Sequence, residues 1–461
     1  VNTLKNSTFR KVKRFLIPLT LTVSTIVAAG CQSQNAGTAA KPSDAAPGQT
    51  VLNVYSWTVE ESMKPFFEAF EKKYPNIKVK YTKMADSNPA TANSLLTSGE
   101  SIDVIPQASV DDMRVRAASG MYESLDDYLK KDKMDYKQIF GDSINELETV
   151  NGKHYALPYS MATYGLYYNK AMFDKAGVPY PTDDWTWDDL RAAALKLTSG
   201  SGANKIYGFL PDYTGQWAFP AIQQLGLNYV YKNNGQESNW DNPAFLNALQ
   251  YYYDMETKDK SAWPISEYKA LKIDTNPHAI FMQGKAAMYI QPSFIVKYSS
   301  QESYGFTNFE YGVVNLPKVK KEDSLSNVYY LSDFSIPASA SNKEAAWTFL
   351  KFYCLEAPEI FAQSKAMTPA NLSSMDAAVH EKVGKIIFDY PHFDQPSGMK
   401  TFINNKLTLT PYLTTINTAK AEMMDMVKSE ITSCLMGNQT PAETLAKLKK
   451  QSDELIKKAG K

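Results

Sequence analysis

The chain has 461 residues, 49 of them basic and 49 acidic, with 44% apolar and 21% charged side chains. That apolar content excludes a disordered chain, and three cysteines in so long a sequence exclude a disulfide scaffold. Residues 1–30 hold five positive groups and no carboxylate, which leaves 44 basic against 49 acidic groups beyond them; a mildly acidic surface of this kind does not suit nucleic acid.

Lys5, Arg10, Lys11, Lys13 and Arg14 precede an apolar run, Phe15 to Ala29, that ends in Val27-Ala28-Ala29-Gly30-Cys31. A basic region, an apolar region and small residues predict a secretory signal peptide over residues 1–30, shorter than the roughly 20 residues of a membrane span. The small residues before Cys31 resemble a bacterial lipobox, which implies a diacylated Cys31 as the mature N-terminus and attachment to the membrane through more than one acyl chain. Plain cleavage nearby, releasing a free secreted protein, is the alternative. Gln32 to Thr50 is small, polar and without periodicity, so residues 31–50 are expected to carry the lipid and form a flexible tether with a reach of roughly 25 Å.

Leu52, Val54 and Tyr55 predict a strand. Met63, Phe66, Phe67 and Phe70 stand at i, i+3, i+4 and i+7, the stripe of an amphipathic helix; Ser62 as its cap would keep Pro65 within the first turn. Pro75 stops it, and Ile77, Val79 and Tyr81 alternate as a second strand. Ser101 to Ile105 reads as a buried parallel strand, so this is a βαβ unit. Thr186 and Asp189 form a capping pair for a helix through Lys196. Further helices are expected over 241–255, 279–284 and 345–355, with strands at Ala286–Ile290 and Phe334–Pro337. Thr440, Pro441 and Glu443 open the last helix, whose apolar face is Leu445, Leu448, Leu455 and Ile456. Cys354, in an apolar helical run, is expected to be buried; whether it meets Cys434 is left open.

The four histidines, His154, His278, His380 and His392, show no i, i+4 pair, and no Cys-x-x-Cys occurs, so no metal site is expected. No Gly-x-Ser-x-Gly elbow is present, and Ser199-Gly200-Ser201-Gly202 lacks a following Gly-Lys-Ser/Thr. Asp183, Asp184, Asp188 and Asp189 fit a helix start through its dipole. Neither a catalytic constellation nor a cofactor is indicated. Aromatics in loops carry more information. Trp57 follows the first strand and Gln107 follows Ile102–Ile105, at the strand ends where α/β sheets hold ligands. Tyr155, Tyr159, Tyr164, Tyr167 and Tyr168 crowd one segment; Tyr213 and Trp217 share another. Flat rings with polar edges match the apolar faces of a sugar, and short polar side chains match its hydroxyls.

Several segments in order then resemble the extracellular solute-binding proteins of ABC importers, in the group that contains maltose-binding protein: Phe66 to Val79, Ser98 to Val104, Asn151 to Lys170, Thr186 to Leu197, Phe281 to Ile290 and Ser332 to Leu350. The resemblance implies an α/β fold of two lobes, of the type II periplasmic-binding-protein kind, each a mainly parallel sheet flanked by helices, with a hinge between them. Lobe 1 should hold residues 51–158 and 317–368, and lobe 2 residues 159–316 and 369–461. It implies capture of a mono- or oligosaccharide in the interlobe cleft, delivery to the permease subunits, no catalysis, a monomer, and a place at the outer face of the cell membrane. The site residues it implies are Trp57, Asp86, Gln107, Tyr159, Tyr164, Tyr213, Trp217, Phe294 and Asp333, with Asp212 a weaker candidate. A peptide or polyamine in the same cleft, or a secreted carbohydrate-active enzyme, are the competing readings.

Overall fold

The computed structural model describes residues 48–460 except 108, 214, 273–276, 413–415 and 417. The expected signal peptide (residues 1–30), Cys31 and the tether as far as residue 47 lie outside the described residues. Among the described residues no helix is long and apolar enough to cross a membrane.

The first strand, helix and second strand form the predicted βαβ unit, but the parallel strand expected over Ser101–Ile105 is reduced to a bridge from Val104 to Val54, and the strand there, Ile105–Gln107, runs antiparallel to Ser326–Ser335. Strand Thr50–Ser56, which takes in the last residue assigned to the tether, runs parallel to Ile77–Lys83, and helix Glu60–Lys73 connects them. Met63, Phe66 and Phe70 are fully buried on that helix, each apolar side chain contributing about 2 kcal/mol. Its start differs from expectation: Val59, not Ser62, holds the cap position, and Glu60 and Glu61 favour the helix dipole from the first turn. Pro65 therefore lies inside the helix, on its exposed side, where water can serve the carbonyl one turn back. Asp103 ties the unit together, accepting from the backbone N–H of Asn53 at 2.8 Å and of Asn342 at 3.0 Å.

The centre of the molecule is a seven-stranded sheet built on two long antiparallel strands, Ala156–Asn169 and Ser326–Ser335. Ala286–Pro292 and Tyr311–Asn315 also run antiparallel to Ala156–Asn169. Only Tyr207–Leu210 beside Ala286–Pro292, and Thr408–Pro411 beside Ser326–Ser335, are parallel neighbours in it. This sheet is therefore mixed, not mainly parallel, because the strands that pass between the lobes run against their partners. At about 3.3 Å per residue, the strand Ala156–Asn169 is long enough to leave one hydrophobic core and enter another. Ala156, Leu157 and Tyr159 belong to a first core with residues from Leu52 onward and with Tyr329 to Ala370. Leu166 and Tyr168 point into a second core and Tyr167 into a third, the alternation that a strand buried on both faces requires.

Local signals set the flanking helices. Asn242 caps Pro243–Thr257 by accepting from Ala244 N at 3.0 Å, two residues later than predicted. The helix expected over 279–284 is His278–Met282 and stops before Gly284, whose φ of +66° favours glycine. Lys343–Lys351 continues into a wide turn, Phe352–Glu356, that carries Cys354. Cys354 and Cys434 are both free thiols, buried in the first and second core respectively, so they do not meet. Capping boxes open Trp187–Leu197 at Thr186/Asp189 and Pro441–Ala459 at Thr440/Glu443. In the latter, Thr440 N donates to Glu443 Oε2 at 2.8 Å and Glu443 N to Thr440 Oγ1 at 3.3 Å. Thr440→Ala should cost about 1 kcal/mol and lower the melting temperature by about 2–4 °C in calorimetry. An unchanged melting temperature would mean that packing of Leu445, Leu448 and Ile456 alone holds this helix.

Candidate functional site

Helices Pro89–Thr97 and Val110–Ala118 of the first core face helix Lys420–Leu435 of the second across a cavity of about 880 Å³. Asn88, Asn93 and Asp111 line one side, Tyr229, Tyr412 and Lys420 the other. Local hydrogen bonds shape the first wall. Asn88 Oδ1 accepts from Ala90 N at 2.9 Å and starts the first helix; Ser109 Oγ accepts from Asp112 N at 3.2 Å and starts the second. Asp86 accepts from Thr91 Oγ1 at 2.6 Å and Asn88 N at 2.9 Å, and these bonds hold its carboxyl below the usual range. It thus organises the rim of the cavity. Lys420 pairs with Asp111 across the opening. Burial nevertheless pushes the Asp111 carboxyl up, the lysine only partly offsetting it.

Tyr412, on the cavity wall, belongs to a group of rings around one carboxylate. Asp212, just past strand Tyr207–Leu210, accepts from Gln291 Nε2 at 3.3 Å. Burial first, and then the Asp212 charge among others, raises the phenol pKa of Tyr164, Tyr289 and Tyr412, so all three stay protonated and able to donate. Tyr164 lies edge-on to Phe219 at 4.7 Å and 6.1 Å from Tyr330. Phe294 meets His278 and Tyr298 edge-on at 5.8 and 6.0 Å, and Tyr298 stacks on Tyr304 at 4.1 Å. Trp57 is half-buried in the loop after strand Thr50–Ser56 and packs against the first core.

Other expected contacts have structural partners instead. Gln107 is fully buried, its Oε1 accepting from Arg116 Nη1 at 2.9 Å and from the Tyr122 hydroxyl at 3.0 Å. Arg116 in turn reaches Asn93 Oδ1 at 2.7 Å and the Pro89 carbonyl at 3.0 Å, which ties Gln107 to the cavity wall through the arginine. Tyr159 packs on Phe334, Tyr353 and Phe361 within the first core. The Tyr213 hydroxyl lies 2.7 Å from Glu256 Oε2 and 2.8 Å from the Trp263 carbonyl, committed beside the second core, where burial lifts Glu256 to about 7. Trp217 is 4% exposed, with Trp240 at 6.5 Å and Phe245 at 6.2 Å; it borders a recess of about 50 Å³.

Asp333 has no exposed surface and lies in the first core beside Glu148, not at the cleft. Alternation explains it. Along Ser326–Ser335, Tyr329 and Leu331 turn into the core while Tyr330 and Ser332 are half-buried on the other face; Asp333 follows the core set, where the register against Ala156–Asn169 skips Tyr159. The same alternation marks Tyr330, which sequence reasoning passed over together with Tyr229, Tyr298, Lys297, Lys365 and Tyr412. Among the described residues, no group of three or more His, Cys, Asp or Glu side chains could hold a metal ion.

Over residues 56–357 the chain matches the family model of bacterial extracellular solute-binding protein. A binding protein of Brucella abortus is 27% identical across 55% of this chain and 58% of its own length. The arabinooligosaccharide-binding protein of Bacillus subtilis is 27% identical across 52% of this chain and 53% of its own. The chain thus spans little more than half the length of these two relatives. An ABC substrate-binding protein of Listeria monocytogenes, solved in complex with cycloalternan, shares the fold with a TM-score of 0.73 at 23% identity, covering 89% of this chain and 99% of that one.

Proposed function

Because the chain belongs to the bacterial extracellular solute-binding proteins, we propose that it captures an oligosaccharide between its lobes and delivers it intact to the permease of an ABC importer. The observation that carries this reading is the cavity between the two cores, with Tyr412 on its wall and, beside Tyr412, a group of protonated tyrosines around Asp212. Rings offer their faces to sugar C–H groups, and a carboxylate accepts from hydroxyls that would otherwise be buried without partners. The relatives that are named for, or crystallised with, saccharides support the same class of ligand. On this reading the contacts are Trp57, Asp212, Tyr164, Phe294, Tyr330 and Tyr412, with Asp86 shaping the rim.

Lobe 1 then comprises residues 51–158 and 317–368, and lobe 2 residues 159–316 and 369–461. The long strand Ala156–Asn169 passes from one to the other at residues 158–159 and, with Ser326–Ser335 paired beside it, forms the hinge. Ligand touches both lobes only in the closed form, so binding shifts the population toward closure, and the permease reads that state. No bond in the sugar is made or broken. Cys31 carries the lipid, and the protein works as a monomer at the outer face of the cell membrane.

A thermal-shift panel of mono- and oligosaccharides, amino acids, peptides and polyamines tests the proposal, since a ligand at 100 Kd adds about 2.7 kcal/mol of stability. Oligosaccharides should raise the melting temperature and emerge chemically unchanged. Stabilisation by polyamines or peptides without any by sugars would refute it, as would hydrolysis of the sugar.

A further inference from the structure

Two lysines stand where the segment Ser293–Ser300 of the second lobe meets the helix Pro358–Lys365. The segments touch, with Ser293 Oγ donating to the Ala366 carbonyl at 2.9 Å. Lys365 is 8% exposed, and its ammonium donates to Thr58 Oγ1 at 3.0 Å, in the loop that carries Trp57. The Lys297 ammonium lies 5.5 Å from the centre of the Tyr298 ring. No carboxylate of the described residues pairs with either, although other lysines do find one: Lys170 with Asp394, Lys343 with Glu123, Lys318 with Asp184. Burial brings the Lys365 amine down to about 7, and the Lys297 charge adds to the effect. Burial also lowers Lys297, and burial and the Lys297 charge together bring His278 to about 4.

The fold therefore brings the buried Lys365 and the half-buried Lys297 within electrostatic reach of each other, and among the described residues it supplies neither with a paired carboxylate. Isolated buried charge is costly, and like charges in mutual reach add to that cost. A neutral sugar leaves the imbalance as it stands. An anionic group held between the two ammoniums removes it through charge-assisted hydrogen bonds, and from opposite lobes those bonds also favour closure. Resting on the saccharide reading above, we propose that the ligand is an acidic saccharide whose anionic group, a uronate carboxylate or a phosphate or sulfate ester, is held between Lys297 and Lys365.

Calorimetric titration of the purified protein with an oligogalacturonate, a sugar phosphate, a sulfated oligosaccharide, a neutral arabino-oligosaccharide and inorganic phosphate tests this, at low and high salt. One of the acidic saccharides should bind at least about tenfold tighter than the neutral one, and lose that advantage as salt rises. Which of them binds separates a uronate from an ester. Lys297→Met and Lys365→Met should each weaken it by about tenfold or more, leave neutral-sugar affinity unchanged, and keep or raise the unliganded melting temperature. Equal affinity for neutral and acidic saccharides, or acidic-ligand affinity untouched in Lys297→Met, would overturn the assignment. So would inorganic phosphate binding as tightly as any acidic sugar. Binding of neutral sugars alone sinks this inference and spares the saccharide reading; silence from every saccharide sinks both.

Discussion

Trp217→Ala should destabilise the second lobe by about 3–5 kcal/mol and change ligand affinity little. The side chain is 4% exposed, lies 6.5 Å from Trp240 at an interplanar angle of 30°, and borders Phe245 at 6.2 Å. Trp240 is itself buried and donates from Nε1 to Ser452 Oγ at 3.0 Å, so the pair ties the C-terminal helix to this core. Removing the indole deletes apolar contact and enlarges the adjoining recess of about 50 Å³, and large-to-small changes of this kind cost about 3–5 kcal/mol because neighbours relax only in part. For a lobe of this size that corresponds to a fall of about 10 °C in the melting temperature. Calorimetry and titration separate the two roles the sequence allows. A stacking residue would keep its melting temperature and lose affinity; a core residue does the reverse.

Signals confined to a helical turn or two are legible in the sequence, whereas side chains placed by long-range pairing are not. The Met63, Phe66, Phe70 stripe and the boxes at Thr186 and Thr440 are written within one or two helical turns, so they are legible without knowing the fold. Strand Ser326–Ser335 is another matter. Only its end, from Phe334, reads as a strand, because both faces of the middle are buried or near-buried and the alternation is blurred by tyrosine on each side. Asp333 depends on pairing with residues far away in sequence and on a register irregularity there, which no local pattern encodes. Trp217 and Tyr164 look alike as aromatics in polar surroundings; what separates them is that Trp240 covers one while the other is left half-buried. The two lysines are harder still, since their information lies in the carboxylate that is not beside them.

Asp333→Asn should stabilise the protein, and by more as pH rises. Asp333 and Glu148 are both fully buried, and neither carboxylate oxygen of either has a hydrogen-bond partner among the described residues. Burial pushes both carboxyls above their usual range, and the Asp333 charge pushes Glu148 further while Arg114 offsets part of it. A carboxyl whose pKa is higher in the folded than in the unfolded state contributes stability that is complete below the unfolded value, about 4, and is lost as pH climbs through the folded one. Each such group adds up to about 1.4 kcal/mol per pH unit to the decline. Asparagine keeps the shape and cannot ionise, so the variant should gain about 1–3 kcal/mol at pH 8 and lose part of the slope. Glu148→Gln should do the same, and the double variant should gain less than the sum, because either change alone ends the repulsion. Denaturant melts from pH 5 to pH 9 decide it: parallel curves for Asp333→Asn and the parent would show that the buried pair does not govern the pH dependence.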